Sequence, residues 1–142
     1  MPEPSLVPYA GGMRHQVSTG SAWESVVGYS RAVRVGDTVH VAGTTAVRDG
    51  EVVGVGDAYR QATVALEIVV AALAELGASP ADVVRTRMFV TDITRWEEVG
   101  RAHGEVFRDV RPATSMVEVA ALIEPDLLVE IEADAVISRA ES

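Results

Sequence analysis

Three carboxylates at alternate positions, Glu130, Glu132 and Asp134, are interleaved with Ile131, Ala133 and Ala135. Side chains two apart on a strand point the same way, so one face is apolar and the other carries three acids. A carboxylate within hydrogen-bond reach of a water can act as a general base. A row of them can equally be a solvated strand face, and periodicity alone leaves both readings open. Other reactive groups are sparse. The chain has no cysteine, which excludes disulfides, thiolate catalysis and cysteine-ligated metals. His15, His40 and His103 fall on separate elements without paired spacing, so no metal site is expected. Ser18, Ser21, Ser30 and Ser115 show no nucleophile elbow and no neighbouring His–Asp arrangement. Gly50, Gly54 and Gly56 lack the Lys-Ser/Thr ending of a phosphate loop and read as a turn.

The elements that carry these residues follow from periodicity. Val117, Val119 and Ala121 alternate with Met116, Glu118 and Ala120 in one strand, and Glu124-Pro125-Asp126 turns the chain into the return strand from Leu127 to Ala135. Residues 1–12, rich in Pro and Gly, read as irregular, with the domain spanning 13–142. Arg14 to Thr19 is a short strand, followed by a Gly-Ser loop to about Gly28. Ser30 to Val35 and Thr38 to Thr45 are strands joined at Gly36-Asp37, and Asp49-Gly50 is a second turn. Ala58, Ala62, Ala65, Leu66, Val69, Leu73 and Leu76 recur at helical spacing between a cap at Gly56-Asp57 and Gly77. Val83 to Thr91 is a strand interrupted by Arg87. Thr94-Arg95-Trp96-Glu97 reads as a capping box opening a second helix to about Asp109, with Trp96, Val99, Val106 and Phe107 inward. This order describes an α+β protein, a mixed sheet with two helices packed on one face. The strands look apolar on both sides, so the uncovered face calls for oligomerisation.

The 142 residues suffice for one domain with a buried core. No run approaches the ~20 apolar residues needed to cross a bilayer, and no export signal is visible at the N-terminus, so a cytoplasmic protein without a membrane partner is expected. The formal charge is −9, from 21 acids against 12 bases. Such a surface repels phosphate backbones, and no basic stripe appears, so no nucleic-acid partner is expected.

The segment Arg111-Pro112-Ala113-Thr114-Ser115-Met116-Val117-Glu118-Val119-Ala120-Ala121-Leu122, followed by Val129-Glu130-Ile131-Glu132-Ala133, resembles the closing signature of the RidA (YjgF) family of imine and enamine deaminases. Gly28-Tyr29-Ser30-Arg31-Ala32-Val33 looks like the family's Pro-Tyr-Ser-Gln-Ala-Val segment, and Val39-His40-Val41-Ala42-Gly43-Thr44 like its Val-Phe-Val-Ser-Gly-Gln strand. The matches keep their order over roughly residues 26 to 137. The resemblance implies a chorismate-mutase-like fold assembled as a homotrimer, sheets inward, with active sites in clefts between subunits.

Carried onto this chain, the resemblance implies that Glu130 orients the attacking water, Tyr29 lines the pocket and Gly43 lets a ligand or partner chain approach closely. Several positions depart from the family pattern. Thr114 stands where active deaminases carry an arginine that clamps the substrate carboxylate with two hydrogen bonds. Met116 replaces a Cys, Thr44 a Gln and Thr94 an Asn. Losing the arginine removes an anchor of about 1.5–3 kcal/mol. Arg31, where the family has Gln, and Arg87 are the candidates to replace it, although each is more readily read as a surface or ion-pair residue. The implied function is a cofactor-independent hydrolase or deaminase. It would act on a small imine, enamine or carbonyl metabolite unlike the usual 2-imino acids. The alternative is a non-catalytic small-molecule-binding or interaction trimer. A ribonuclease, also described among RidA relatives, is disfavoured by the charge.

Overall fold

The structure, a computed structural model, describes residues 5–9 and 12–138. Its strands are β1 (Ser5–Tyr9), β2 (Gly12–Val17), β3 (Ala32–Val35), β4 (Thr38–Thr44), β5 (Val47–Arg48), β6 (Glu51–Val52), β7 (Val83–Val90), β8 (Ala113–Glu118) and β9 (Val129–Val136). The helices are α1 (Ala22–Val27), α2 (Ala58–Glu75) and α3 (Trp96–Phe107). Seven strands form one mixed sheet in the order β1-β2-β3-β4-β9-β7-β8, and β5-β6 is a separate ribbon. Among the described strands only β7 and β8 run parallel. The last strand in the chain therefore lies inside the sheet. None of the described helices is long and apolar enough to cross a membrane.

The α+β architecture matches the expectation, and α2 and α3 cover one face. Val129, Ile131, Ala133 and Ala135 of β9 turn toward them and are essentially sealed from solvent. On α2, Ala58, Ala62, Ala65, Leu66, Val69 and Leu73 are buried, the small residues allowing close approach to the sheet. Asp57 caps this helix by accepting from the Arg60 amide at 2.9 Å, and Gly77, at φ +83°, supplies the left-handed residue beyond its end. Gln61, wholly buried, donates to the carbonyls of Gly54 and Asp126 and accepts from the Leu128 amide. It fastens α2 to the entry of β9. Removing the cap in Asp57→Ala is expected to cost about 1 kcal/mol, read from the urea midpoint.

Several expectations are corrected. Part of the segment expected to be irregular is β1, which pairs antiparallel with β2 from Ser5↔Gln16 to Tyr9↔Gly12. Pro8 is tolerated there because an edge strand does not need every N–H. The Gly-Ser loop contains α1, begun by Ser21, whose hydroxyl accepts from the Trp23 amide, and ended by Gly28 at φ +89°. The expected capping box at Thr94 and Glu97 does not form. Asp92 accepts from Thr94 instead and starts a short 3₁₀ turn, Ile93–Arg95, ahead of α3. Trp96 then projects outward, 54% exposed, while Val99 and Phe107 are buried.

The closing signature is not a hairpin. α3 crosses over to bring β8 parallel to β7, as parallel neighbours require. β9 instead fills the gap between β4 and β7.

The second face is also not apolar. Because side chains alternate, β9 presents Glu130, Glu132 and Asp134 there, opposite Phe89, Arg87 and Arg85 of β7. His40, expected in a core or interface, is not in the core of the chain; it is exposed and holds Asp134 with Nδ1 2.7 Å from Oδ1. Arg87 pairs with Asp134 at 3.3 Å and with Glu132 at 3.8 Å. Ion pairs thus share this open face with apolar side chains such as Phe89 and Val117.

Candidate functional site

Six of the expected residues lie on or beside the open face, and five of them gather where β4 departs from regular pairing with β9. The register shifts between Val41 and Thr44, a bulge that brings the Gly43 backbone against Glu130. A Cβ built on Gly43 would lie 2.6 Å from Glu130 Oε2 and 2.8 Å from its Cδ. Only glycine leaves that carboxyl its place. Burial pushes the Glu130 pKa up and Glu132 adds to the rise, while Arg31 offsets part of it. A carboxyl raised in this way is better matched to proton transfer near neutral pH.

Arg31 sits beneath this group and is only 6% exposed. Its Nη1 donates to the Gly43 carbonyl at 2.6 Å and to Thr44 Oγ1 at 3.0 Å, and Nη2 donates to the Tyr29 hydroxyl at 3.3 Å. Glu24 of α1 faces it at 3.9 Å and is itself buried. Burial alone would raise the Glu24 pKa. Hydrogen bonds from Thr19 and Ser18, together with the Arg31 charge, bring it below the usual carboxylate value. Arg31 thus joins Tyr29, Gly43 and Thr44 into one unit, with its guanidinium engaged by protein acceptors.

Thr114 and Met116 are elsewhere. Register pairs them with Thr86 and Met88, whose side chains are buried on the helix side of β7. Thr114 Oγ1 lies 2.8 Å from Thr86 Oγ1, which lies 2.8 Å from His103 Nε2 on α3. Thr114 also donates to the Pro112 carbonyl at 3.0 Å. His103 packs on Phe107 with ring centroids 4.7 Å apart, and burial lowers its pKa. Thr94 is exposed and bonds Asp92. Within one chain, then, the Glu130 group and the Thr114 group occupy opposite faces of the sheet. Arg87 shares the open face with Glu130 but is held one pair further along by Glu132 and Asp134. It lines a cleft there together with Arg14, Glu24, Tyr29, His40 and Asp134.

Glu24, Thr86 and His103 were missing from the expected set. The Ser21-x-x-Glu24 spacing ahead of Gly28 was a legible helix-start signal for α1, and with it for Glu24. Nothing local marked Thr86 or His103, since their partners come from other elements. No cluster of three side chains able to hold a metal occurs among the described residues.

The chain matches the family model described as Endoribonuclease L-PSP over residues 19–137. A crystal structure from Mycobacterium tuberculosis, a member of the YjgF/YER057c/UK114 family, is 56% identical with a TM-score of 0.80, covering 87% of this chain and 99% of that one. The 3-aminoacrylate deaminase RutC of Acinetobacter baylyi is 33% identical, over 72% of this chain and 82% of its own length. The crystal structure of E. coli TdcF with bound serine is 31% identical with a TM-score of 0.71, covering 78% of this chain and 88% of that one.

Proposed function

This chain belongs to the endoribonuclease L-PSP (YjgF/Rid) family, and from that premise we propose that it is a cofactor-independent deaminase of a small imine or enamine. The observation that carries the reading is the Glu130 carboxyl, desolvated against the Gly43 backbone and near the bound Arg31, which in turn holds the Tyr29 hydroxyl. In this scheme the carboxylate takes a proton from water as the oxygen attacks the imine carbon. Glu130 returns that proton to nitrogen to complete the carbinolamine. It then takes the proton of the new hydroxyl and passes it to nitrogen as the C–N bond breaks, so that ammonia and a carbonyl compound leave and the carboxylate is regenerated. An enamine must first be protonated on carbon to give the imine. The similarity to a 3-aminoacrylate deaminase supports the enamine as the substrate form. The −9 charge argues against RNA.

The separation of the two groups supports an intersubunit cleft. Thr114 and Met116 lie across the sheet from Glu130, so a site using both sets takes them from neighbouring chains, and a cytoplasmic homotrimer satisfies this. One observation favours a non-catalytic binding trimer instead: Thr114 offers no cationic fork. The test generates imines and enamines enzymatically and follows their hydrolysis with and without the protein, alongside light scattering. We expect a trimer with turnover that is weak on 2-iminopropionate and gains on Thr114→Arg. A stable monomer at micromolar concentration would overturn the cleft, and inactivity across the panel would leave the binding trimer.

A further inference from the structure

A single assignment of protons satisfies all three contacts that tie α3 to β8 at once. The Pro112 carbonyl can only accept, so its 3.0 Å contact uses the single hydroxyl proton of Thr114. The 2.8 Å contact between Thr114 Oγ1 and Thr86 Oγ1 must then be made with the proton of Thr86. With that proton committed, the 2.8 Å contact from Thr86 Oγ1 to His103 Nε2 requires a hydrogen on Nε2. The chain of donation runs His103 to Thr86 to Thr114 to Pro112. A hydroxyl oxygen has two acceptor positions. On Thr114 one is filled by Thr86, and the other remains on an exposed side chain with no proton left to give.

We propose that Thr114 presents only an acceptor to the site, so that the ligand group docking on it is an N–H or O–H donor, such as a carboxamide, amine or hydroxyl, and not a carboxylate. The inference rests on the reading that β8 contributes to the ligand cleft. It inverts the polarity that an arginine would give this position: a guanidinium donates, and this oxygen accepts. A carboxylate placed there would either face a second acceptor or draw the Thr114 proton away from the Pro112 carbonyl. His103 acts through Thr86 and is a positioning residue. It fixes the direction of the chain without touching the ligand, and its burial favours the neutral ring over the cation.

Two measurements on the intact protein test this. Long-range proton–nitrogen NMR reads which nitrogen of His103 is protonated, with no ligand present. Titration with pyruvamide and with pyruvate then compares a donor and a carboxylate on the same carbon frame, in the wild type and in Thr114→Val. The expected results are a protonated Nε2 and pyruvamide bound about tenfold tighter than pyruvate, equivalent to one hydrogen bond, with that preference lost in Thr114→Val. A bare Nε2, a preference for pyruvate, a preference unchanged in Thr114→Val, or failure to bind either probe would overturn the proposal. Failure of the hydrolase reading looks different. Turnover without amide preference removes only this inference, whereas amide preference without turnover removes only the hydrolase.

Discussion

Glu130→Gln lowers imine or enamine hydrolysis by about 10²–10⁴-fold, the usual contribution of a positioned general base. The amide has nearly the same shape and remains compatible with Gly43, but it cannot take a proton from water. The same substitution changes stability in the opposite sense. Burial, then Glu132, raise the Glu130 pKa in the folded chain above its unfolded value, against the smaller pull of Arg31. Over the window between those two values the native state binds more protons than the unfolded state, so stability falls as pH rises. Above the folded value the full cost of the buried carboxylate is present; below the unfolded value none of it remains. Glu130→Gln is therefore expected to be more stable than the wild type at neutral pH, with the gap closing on acidification. Chemical denaturation at several pH values, paired with the hydrolysis assay, checks both halves. Unchanged turnover would remove Glu130 from the reaction, and a gap that widens in acid would contradict its burial.

The second large effect concerns Arg31→Met, expected to destabilise the chain by about 3 kcal/mol, the lower end of the cost of breaking a buried ion pair. Methionine fills much of the volume but leaves the Gly43 carbonyl and Thr44 hydroxyl without their donor. It also strands Glu24, whose side chain is only 6% exposed, with Thr19 and Ser18 as its remaining supports. A double variant with Glu24→Gln recovers part of the loss, because no stranded charge then remains. Midpoint shifts in urea for the two single variants and the double supply the coupling energy. A loss under about 1 kcal/mol, the range of exposed pairs, would mean that water reaches the cluster. Arg31→Met also removes the charge that offsets the rise at Glu130, so the lower arm of any pH–rate profile should move to higher pH.

The motifs single out Gly43, Glu130 and Tyr29, and the structure brings Gly43 and Glu130 into contact. The alternation along residues 129–135 likewise separated the buried apolar face of β9 from its acids. These properties are local: a strand presents alternate side chains to opposite faces whatever lies beside it. The helical period of α2 and the Gly77 stop are of the same kind.

Arg31 and Thr114 were singled out for what they replaced, and their actual surroundings depended on distant chain. α1 is signalled only by the short Ser21-x-x-Glu24 spacing ahead of Gly28, and without Glu24 nothing indicates that Arg31 is buried and already engaged. The pairing of β8 was misread for a related reason. Adjacent strands in sequence suggest a hairpin, but β7, reached only through the α3 crossover, separates β8 from β9.

By itself the sequence determined the kinds of element, the two faces of each strand, the family motifs and the acid at position 130. Tertiary structure decided which strands neighbour one another, that Arg31 is a buried strut, and that Thr114 and Glu130 lie on opposite faces of the sheet. The division is physical. Periodicity and capping act over a few residues, whereas strand order, burial of a charge and the direction of a hydrogen-bond chain depend on groups brought together from far along the sequence.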